Sequence, residues 1–166
     1  MDADLTLPGL FRYGIRIVMP SSFENIHYYG RGPGENYIDR NNSTDLGIWE
    51  QTVTEQYYPY IHPQETGNKT DIRWMELTDE SGKGIRITSS EPFSASALHY
   101  QLEDLDAGHA NTQVHSADIK PSDVTNLMLD KVQMGLGCVD SWHAVPRDEY
   151  LLPAGQYRFT VRIEPK

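Results

Sequence analysis

Tyr28-Tyr29-Gly30-Arg31-Gly32-Pro33-Gly34-Glu35-Asn36-Tyr37-Ile38-Asp39-Arg40 is the most informative stretch of this 166-residue chain. A turn-forming glycine and proline core lies between aromatic residues and a compact group of charged and amide side chains. The glycines invite a phosphate-loop reading, which fails on context. A dinucleotide loop needs a strand before it and a helix N-terminus after it. Here the spacing is G-x-G-x-G, Pro33 fixes the backbone between two of the glycines, and Asn36 to Asp45 is turn chemistry without a helical period. The chain carries 24 acidic residues against 14 Lys and Arg, a net charge of -10. No basic patch would compensate a phosphate in such a chain.

The same charge balance argues against a nucleic-acid partner, whose binding needs clustered Lys and Arg. It fits a neutral ligand such as a sugar. The length suits one domain that buries a core without staples, and Cys138, the lone cysteine, excludes an internal disulfide framework. No apolar run approaches the ~20 residues of a membrane span, so no membrane partner is expected. No charged-then-apolar leader is visible at the N-terminus. The chain reads as soluble, with cytoplasm and periplasm both open. The six histidines, His27, His62, His99, His109, His115 and His143, show no H-x-x-x-H or H-x-H spacing, so no metal site is expected. His62 and His99 are candidates for general acid or base, since imidazole titrates near neutrality. Glycosylation sequons occur in Asn41-Asn42-Ser43-Thr44 and Asn68-Lys69-Thr70.

The periodicity is that of strands. Tyr157, Phe159, Val161 and Ile163 alternate with Arg158, Thr160, Arg162 and Glu164, the pattern of a half-buried strand. Ile15 and Ile17 flank Arg16 in the same way, and Ile85 and Ile87 flank Arg86. Phe93, Ala95 and Ala97 mark another strand, and Leu127, Leu129 and Val132 one more. Asp79-Glu80-Ser81-Gly82-Lys83-Gly84 reads as the turn of a hairpin between Asp71–Thr78 and Ile85–Thr88. Only Gln101 to Asp106 suggests a helical turn. Ten prolines and thirteen glycines between short strands point to an all-β antiparallel sandwich. Two stretches, Arg31 to Pro63 and Ala107 to Thr125, read as long irregular loops, which are often functional.

Three more motifs extend the reading along the chain. They are Leu7-Pro8-Gly9-Leu10-Phe11-Arg12-Tyr13-Gly14, then Tyr58-Pro59-Tyr60-Ile61-His62-Pro63-Gln64-Glu65-Thr66-Gly67-Asn68 running on to Asp71-Ile72-Arg73-Trp74, and finally Leu129-Asp130, Gln133-Met134-Gly135-Leu136-Gly137 and Asp140-Ser141-Trp142. Together with the opening stretch they resemble, in order, the C-terminal domain of family-2 β-galactosidases, with its G-x-G-P-x-E-N-Y-x-D-R, L-P-x-L-P-R-x-G, P-Y-x-x-P-Q-E-x-G-N and D-S-W signatures. Phe11 stands where proline is usual, and Cys138-Val139 departs from the small or acidic residues that precede D-S-W. The resemblance implies a galactose-mutarotase-like supersandwich of which this chain is the C-terminal portion, cut at Asp2. An edge exposed by that cut is a candidate surface for dimerisation, and the resemblance implies a homo-oligomeric parent.

Glycoside hydrolysis needs two carboxyl groups flanking one bond. Glu35, Asp39, Glu65, Asp71, Asp130 and Asp140 supply carboxylates without a visible pairing. The resemblance implies that acid/base and nucleophile lie on a separate catalytic barrel. The isolated chain is therefore expected to be inactive, with no cofactor of its own. It also implies that Trp142 reaches into that barrel's active site and lines the sugar pocket. An indole suits this role, because it presents a flat face to a pyranose and a π-cloud to an oxocarbenium-like transition state. Asp140 and Ser141 are expected to shape the Trp142 loop, and Trp74 to be a core tryptophan. Glu35, Asn36, Asp39 and Arg40, and likewise Glu65, Asn68, Asp71 and Arg73, form either hydroxyl-binding clusters or ion-pair networks that tie loops to the sandwich. The galactoside and the other domains of the parent are the expected partners. Two competing functions are a free-standing carbohydrate-binding or aldose-epimerase-like module, weakened by the lack of a clear His/Glu pair, and a purely architectural domain.

Overall fold

The computed structural model describes residues 9–106, 115–137 and 145–166. Alternation of apolar and polar side chains builds seven strands there: β1 (Arg12–Pro20), β2 (Asn25–Gly32), β3 (Asp45–Thr52), β4 (Lys69–Thr78), β5 (Gly84–Leu98), β6 (Val124–Gln133) and β7 (Val161–Pro165). They form one antiparallel sheet in the order β1-β6-β5-β4-β2-β3, with β7 also paired to β5. A single turn of helix, α1 (Leu102–Leu105), follows β5. The all-β antiparallel class expected from the sequence is the one observed.

Register decides which side chains share a face. Ile15 pairs with Leu129 and Ile17 with Leu127, while Ala95 and Ala97 oppose the same two leucines from the other side. In the other limb, Ile26 pairs with Leu77 and Tyr28 with Met75, which in turn opposite β5 faces Ile87. These faces merge into one core cluster containing Met19, Ile72 and Phe93. Burying each such large side chain is worth about 1.5–3 kcal/mol. β5 supplies the bend that lets both limbs share the core. Between the pairs Trp74–Thr88 and Ile72–Phe93 it advances five residues while β4 advances two, and a bulge of this kind kinks and twists a strand. β7 then pairs with β5 before the bend and β6 pairs with it after.

The Asp79–Gly84 turn forms as the sequence requires. The Asp79 carboxylate accepts the Ser81 and Lys83 amides at 2.8 and 3.1 Å, and Gly82 takes the left-handed conformation, φ 81°. Three expectations need correction. Gly30 and Gly32 lie within β2 rather than in a turn. A Cβ on Gly30 would fall 2.9 Å from Ile72 Cγ1 and 3.1 Å from Ile72 Cα, so glycine is there because β4 packs close. The stretch from Arg31 to Pro63 contains β3, whose Leu46, Gly47, Ile48 and Trp49 put apolar groups on both faces and so hide the period-2 signal. The C-terminal strand is shorter than its alternation suggests, since only Val161–Pro165 pairs. Phe159 contributes to the core from outside the strand.

Around β6 the face opposite the core is buried as well. Ser94, Ser96, Asn126 and Asp130 all lie there with little or no exposed surface. That second covering positions the candidate site.

Candidate functional site

The loop after β2 is stitched to the segment before β4 through Asn36, which is wholly buried. Its amide side chain accepts the Thr70 backbone N–H at 2.9 Å and the Thr70 hydroxyl at 2.5 Å. It donates to the carbonyls of Arg31 and Gly34, both at 3.1 Å. The Asn36 N–H donates to the Asn68 carbonyl, and Asn68 Nδ2 returns a bond to the Asn36 carbonyl, each at 2.8 Å. Asn68, the sequon residue, is thus buried and engaged.

Glu35 sits beside this clasp with both carboxylate oxygens occupied. Oε2 accepts the Gly67 N–H at 2.8 Å and the Thr66 hydroxyl at 3.1 Å, and Oε1 accepts Arg40 Nη2 at 2.6 Å and the Tyr60 hydroxyl. Burial alone would raise its pKa, but the bonds from Tyr60, Gly67 and Arg40 outweigh it and hold the carboxyl below its ordinary range. All four of these donors come from the chain's own groups. Asp39 accepts the Gly137 N–H at 2.9 Å through Oδ2, which ties the signature loop to the chain leaving β6. Its Oδ1 is buried and has no partner among the described residues.

The second sequence cluster divides. Asn68 joins the Asn36 clasp. Asp71, in the left-handed conformation at φ 57°, accepts Arg31 Nε at 2.6 Å through its carboxylate and Arg73 Nη1 at 2.6 Å through its backbone carbonyl. Glu65 turns the other way, to Arg12 Nη1 at 3.0 Å. Arg12 also forks onto Asp130, whose side chain has no exposed surface. Burial raises the Glu65 pKa even though the Arg12 charge and a hydrogen bond from Gln133 oppose it. Two of the carboxylates read as candidates for chemistry, Glu65 and Asp130, therefore share the Arg12 guanidinium, Asp130 without exposed side-chain surface and Glu65 one-quarter exposed.

Trp142, Asp140 and Ser141 lie outside the described residues. Trp74 lies in β4 but not in the core. It pairs with Tyr29 on the outer face, under the Arg86 guanidinium at 4.6 Å and edge-on to His27 at 4.8 Å. The sequence showed no clear His/Glu pair, but the fold brings His27 Nδ1 within 3.3 Å of Glu76 Oε2 and His99 Nε2 within 2.5 Å of Glu24 Oε2. In the second pair the ring is held on both sides. Its Nδ1 lies 3.2 Å from both the Val124 carbonyl and the Thr125 hydroxyl. Both ring nitrogens are occupied by protein groups, so the pair is built as a brace between the β1–β2 turn and the end of β5. Among the described residues no group of three His, Cys, Asp or Glu could hold a metal, and no helix is long and apolar enough to cross a membrane.

Sequence reading missed Arg12, Lys69 and Glu24 as organising residues. Arg12 had a signal, its place inside the Leu7–Gly14 motif. Lys69 had none, being one lysine in the polar run Thr66–Asp71.

The family described as beta galactosidase small chain matches residues 1–163. The chain belongs to that family. Within it, the chain is 37% identical over 153 residues to beta-galactosidase BgaC of Bifidobacterium adolescentis, covering 90% of this chain and 14% of that protein. It is 35% identical over 161 residues to a beta-galactosidase of Priestia megaterium, covering 96% of this chain and 15% of that protein. It is 32% identical over 166 residues to a beta-galactosidase of Streptococcus thermophilus, covering 99% of this chain and 16% of that protein. This small chain thus spans about one-seventh of the length of these relatives. The residues that hold its loops, Asn36, Glu35 and Arg12, lie inside the signatures that carried the resemblance.

Proposed function

We propose that this chain serves as the small-chain domain of a β-galactosidase polypeptide that hydrolyses terminal β-D-galactose from β-galactosides. The observation that carries the reading is the small-chain match across residues 1–163, supported by relatives called β-galactosidases along nearly the whole chain. In this role the chain packs against a catalytic barrel and completes the sugar pocket with Trp142, held on its loop by Asp140 and Ser141. The acid and nucleophile belong to the barrel, and the chain alone turns over no galactoside. The Glu35, Asn36, Asp39 and Arg40 group and the Glu65, Asn68, Asp71 and Arg73 group act as loop anchors. The saturated Glu35 carboxylate supports that assignment.

The test is kcat/KM of a full-length galactosidase polypeptide carrying this chain, measured on a chromogenic β-galactoside with and without Trp142→Ala. A tenfold loss, about 1.4 kcal/mol of transition-state stabilisation, in a normally folded variant is expected. An unchanged value would remove Trp142 from the pocket. It would favour a second, architectural reading, to which the many satisfied loop anchors already lend weight.

A further inference from the structure

His99 lies where β5 ends, its side chain 11% exposed and wedged between two other elements. On one side Nε2 meets Glu24 Oε2 of the β1–β2 turn at 2.5 Å. On the other, Nδ1 lies 3.2 Å from both the Val124 carbonyl and the Thr125 hydroxyl, where β6 begins. The His99 carbonyl in turn accepts the Ser122 N–H at 2.6 Å and the Ser122 hydroxyl at 2.9 Å. One residue thus joins the β1–β2 turn, the end of β5 and the entry to β6.

Counting protons decides the state of the ring. A carbonyl and a carboxylate only accept. The Thr125 hydroxyl owns one proton, which it donates to the Phe23 carbonyl at 3.1 Å. Glu24 is ionised: burial opposes this, but bonds from Thr54 and His99 outweigh it and hold the carboxyl below its ordinary range. Both ring nitrogens therefore face acceptors, and only the imidazolium, a donor at both, satisfies them together. A neutral ring has one donor, so one nitrogen points a lone pair at a carboxylate or a carbonyl.

The other charged groups on the Glu24 side are Asp79 and Glu80, which line a hollow of about 490 Å³ with it. They add negative charge there, while from β6 Val124 and Thr125 present uncharged acceptors. His27 beside Glu76 is a different case. Its side chain is 37% exposed, so water can serve a nitrogen that loses its partner, and Glu76 already holds Arg86 and Lys166.

We propose that His99 is a proton-operated latch, which as the imidazolium ties Glu24 to the start of β6 and on losing one ring proton releases one side. Free imidazole titrates near neutrality, so the latch is closed on the acid side and opens as pH rises through that region. Charge-assisted bonds are among the stronger ones, so the release is large enough to read at the amides that the latch holds. Lys69 titrates at higher pH and acts with the opposite sign, so it does not imitate the latch.

Hydrogen exchange, read by mass spectrometry and corrected for its intrinsic pH dependence, tests the latch in a full-length polypeptide carrying this chain. The reporters are the Thr54 N–H, which Glu24 Oε1 accepts at 3.2 Å, and the Ser122 N–H. Their protection is expected to fall about fivefold between pH 5.5 and 7.5, while Ser81 and Lys83 in the Asp79 turn stay constant. Glu24→Gln is the decisive variant. Its amide donates to the bare Nε2 of a neutral ring while the Nδ1 proton serves the Val124 carbonyl, so protection no longer falls as pH rises. His99→Gln is also expected to be flat, and His27→Gln to behave as wild type. Constant wild-type protection at Thr54 and Ser122 would overturn the latch, as would an unchanged fall in Glu24→Gln or His99→Gln. A fall abolished by His27→Gln, or an equal fall at Ser81 and Lys83, would overturn it too, since another group or a global opening would then carry the response.

Discussion

Arg12 and Asp130, 118 positions apart, meet through a forked contact of Nη2 to Oδ2 at 2.5 Å and Nε to both carboxylate oxygens at 3.2 Å. The pair closes the face of the β1–β6 ladder that lies away from the core, where register shifts between Tyr13 and Gly14. Gly14 belongs to the same arrangement, because a Cβ there would run into the Asp130 carboxylate and the Leu129 carbonyl. On its other side Arg12 holds Glu65, and hence the loop that carries the second sequence signature.

Removing one partner of a buried ion pair leaves the other charge uncompensated, at a cost of about 3–5 kcal/mol. Arg12→Met is therefore expected to destabilise the chain by that amount in urea unfolding. Arg12→Lys recovers only part of it, because an ammonium cannot fork onto the carboxylate. A loss below ~1 kcal/mol for Arg12→Met would mean that Asp130 finds another partner.

Lys69 is 3% exposed, and its ammonium donates to Gln56 Oε1 at 2.7 Å and the Gly67 carbonyl at 3.2 Å. Burial lowers its pKa from 10.5 to about 8, with the Glu35 charge partly opposing the shift. Between those values the unfolded chain binds more protons than the folded one, so stability rises with pH. Urea midpoints measured from pH 7.5 to 10 are expected to climb, with a total gain on the order of 3 kcal/mol, and Lys69→Met is expected to flatten the climb. An equal slope in that variant would assign the effect to other groups.

Asn36 makes two accepted and two donated side-chain bonds in a fully buried site. Asn36→Ala is expected to cost about 2–4 kcal/mol, since it strands the Thr70 N–H and two carbonyls. Hydrogen exchange at Thr70 should accelerate ahead of exchange in β6. Wild-type protection at Thr70 would show that water replaces the amide without loss.

Acid is expected to loosen the same loop. Glu35 has its pKa lowered, so its contribution is complete above the ordinary carboxylate value and is lost as pH falls through the lowered one. Glu35→Gln should shrink the acid limb of the stability profile between roughly pH 5 and pH 2, while leaving the alkaline Lys69 limb in place. A profile unchanged below pH 5 would mean that other carboxylates govern acid unfolding.

Much of the fold was legible because alternation is a local signal. Ile15 and Ile17, Ile85 and Ile87, and Leu127 and Leu129 each announce a strand through the period-2 geometry of the backbone itself. β3 was not legible, because Leu46 and Ile48 stay exposed on one face while Trp49 packs on the core from the other. The end of the chain misled for the opposite reason. Tyr157 and Phe159 alternate like a strand, yet Phe159 reaches the core without pairing.

The sequence by itself determined the family, the all-β class and the residue types gathered at the loops, since these depend on composition, short motifs and neighbours a few positions away. Tertiary structure decided what those residues do. Glu35 and Arg40 are five positions apart and could have been read together, but the Gly67 N–H and Thr66 hydroxyl that complete the Glu35 shell come from 32 and 31 positions on. Arg12 finds Asp130, and Glu24 finds His99, only when β1, β6 and β5 are laid side by side in one sheet. A carboxylate becomes an anchor or an acceptor for substrate according to how many donors the fold brings to it, and local sequence does not encode that number.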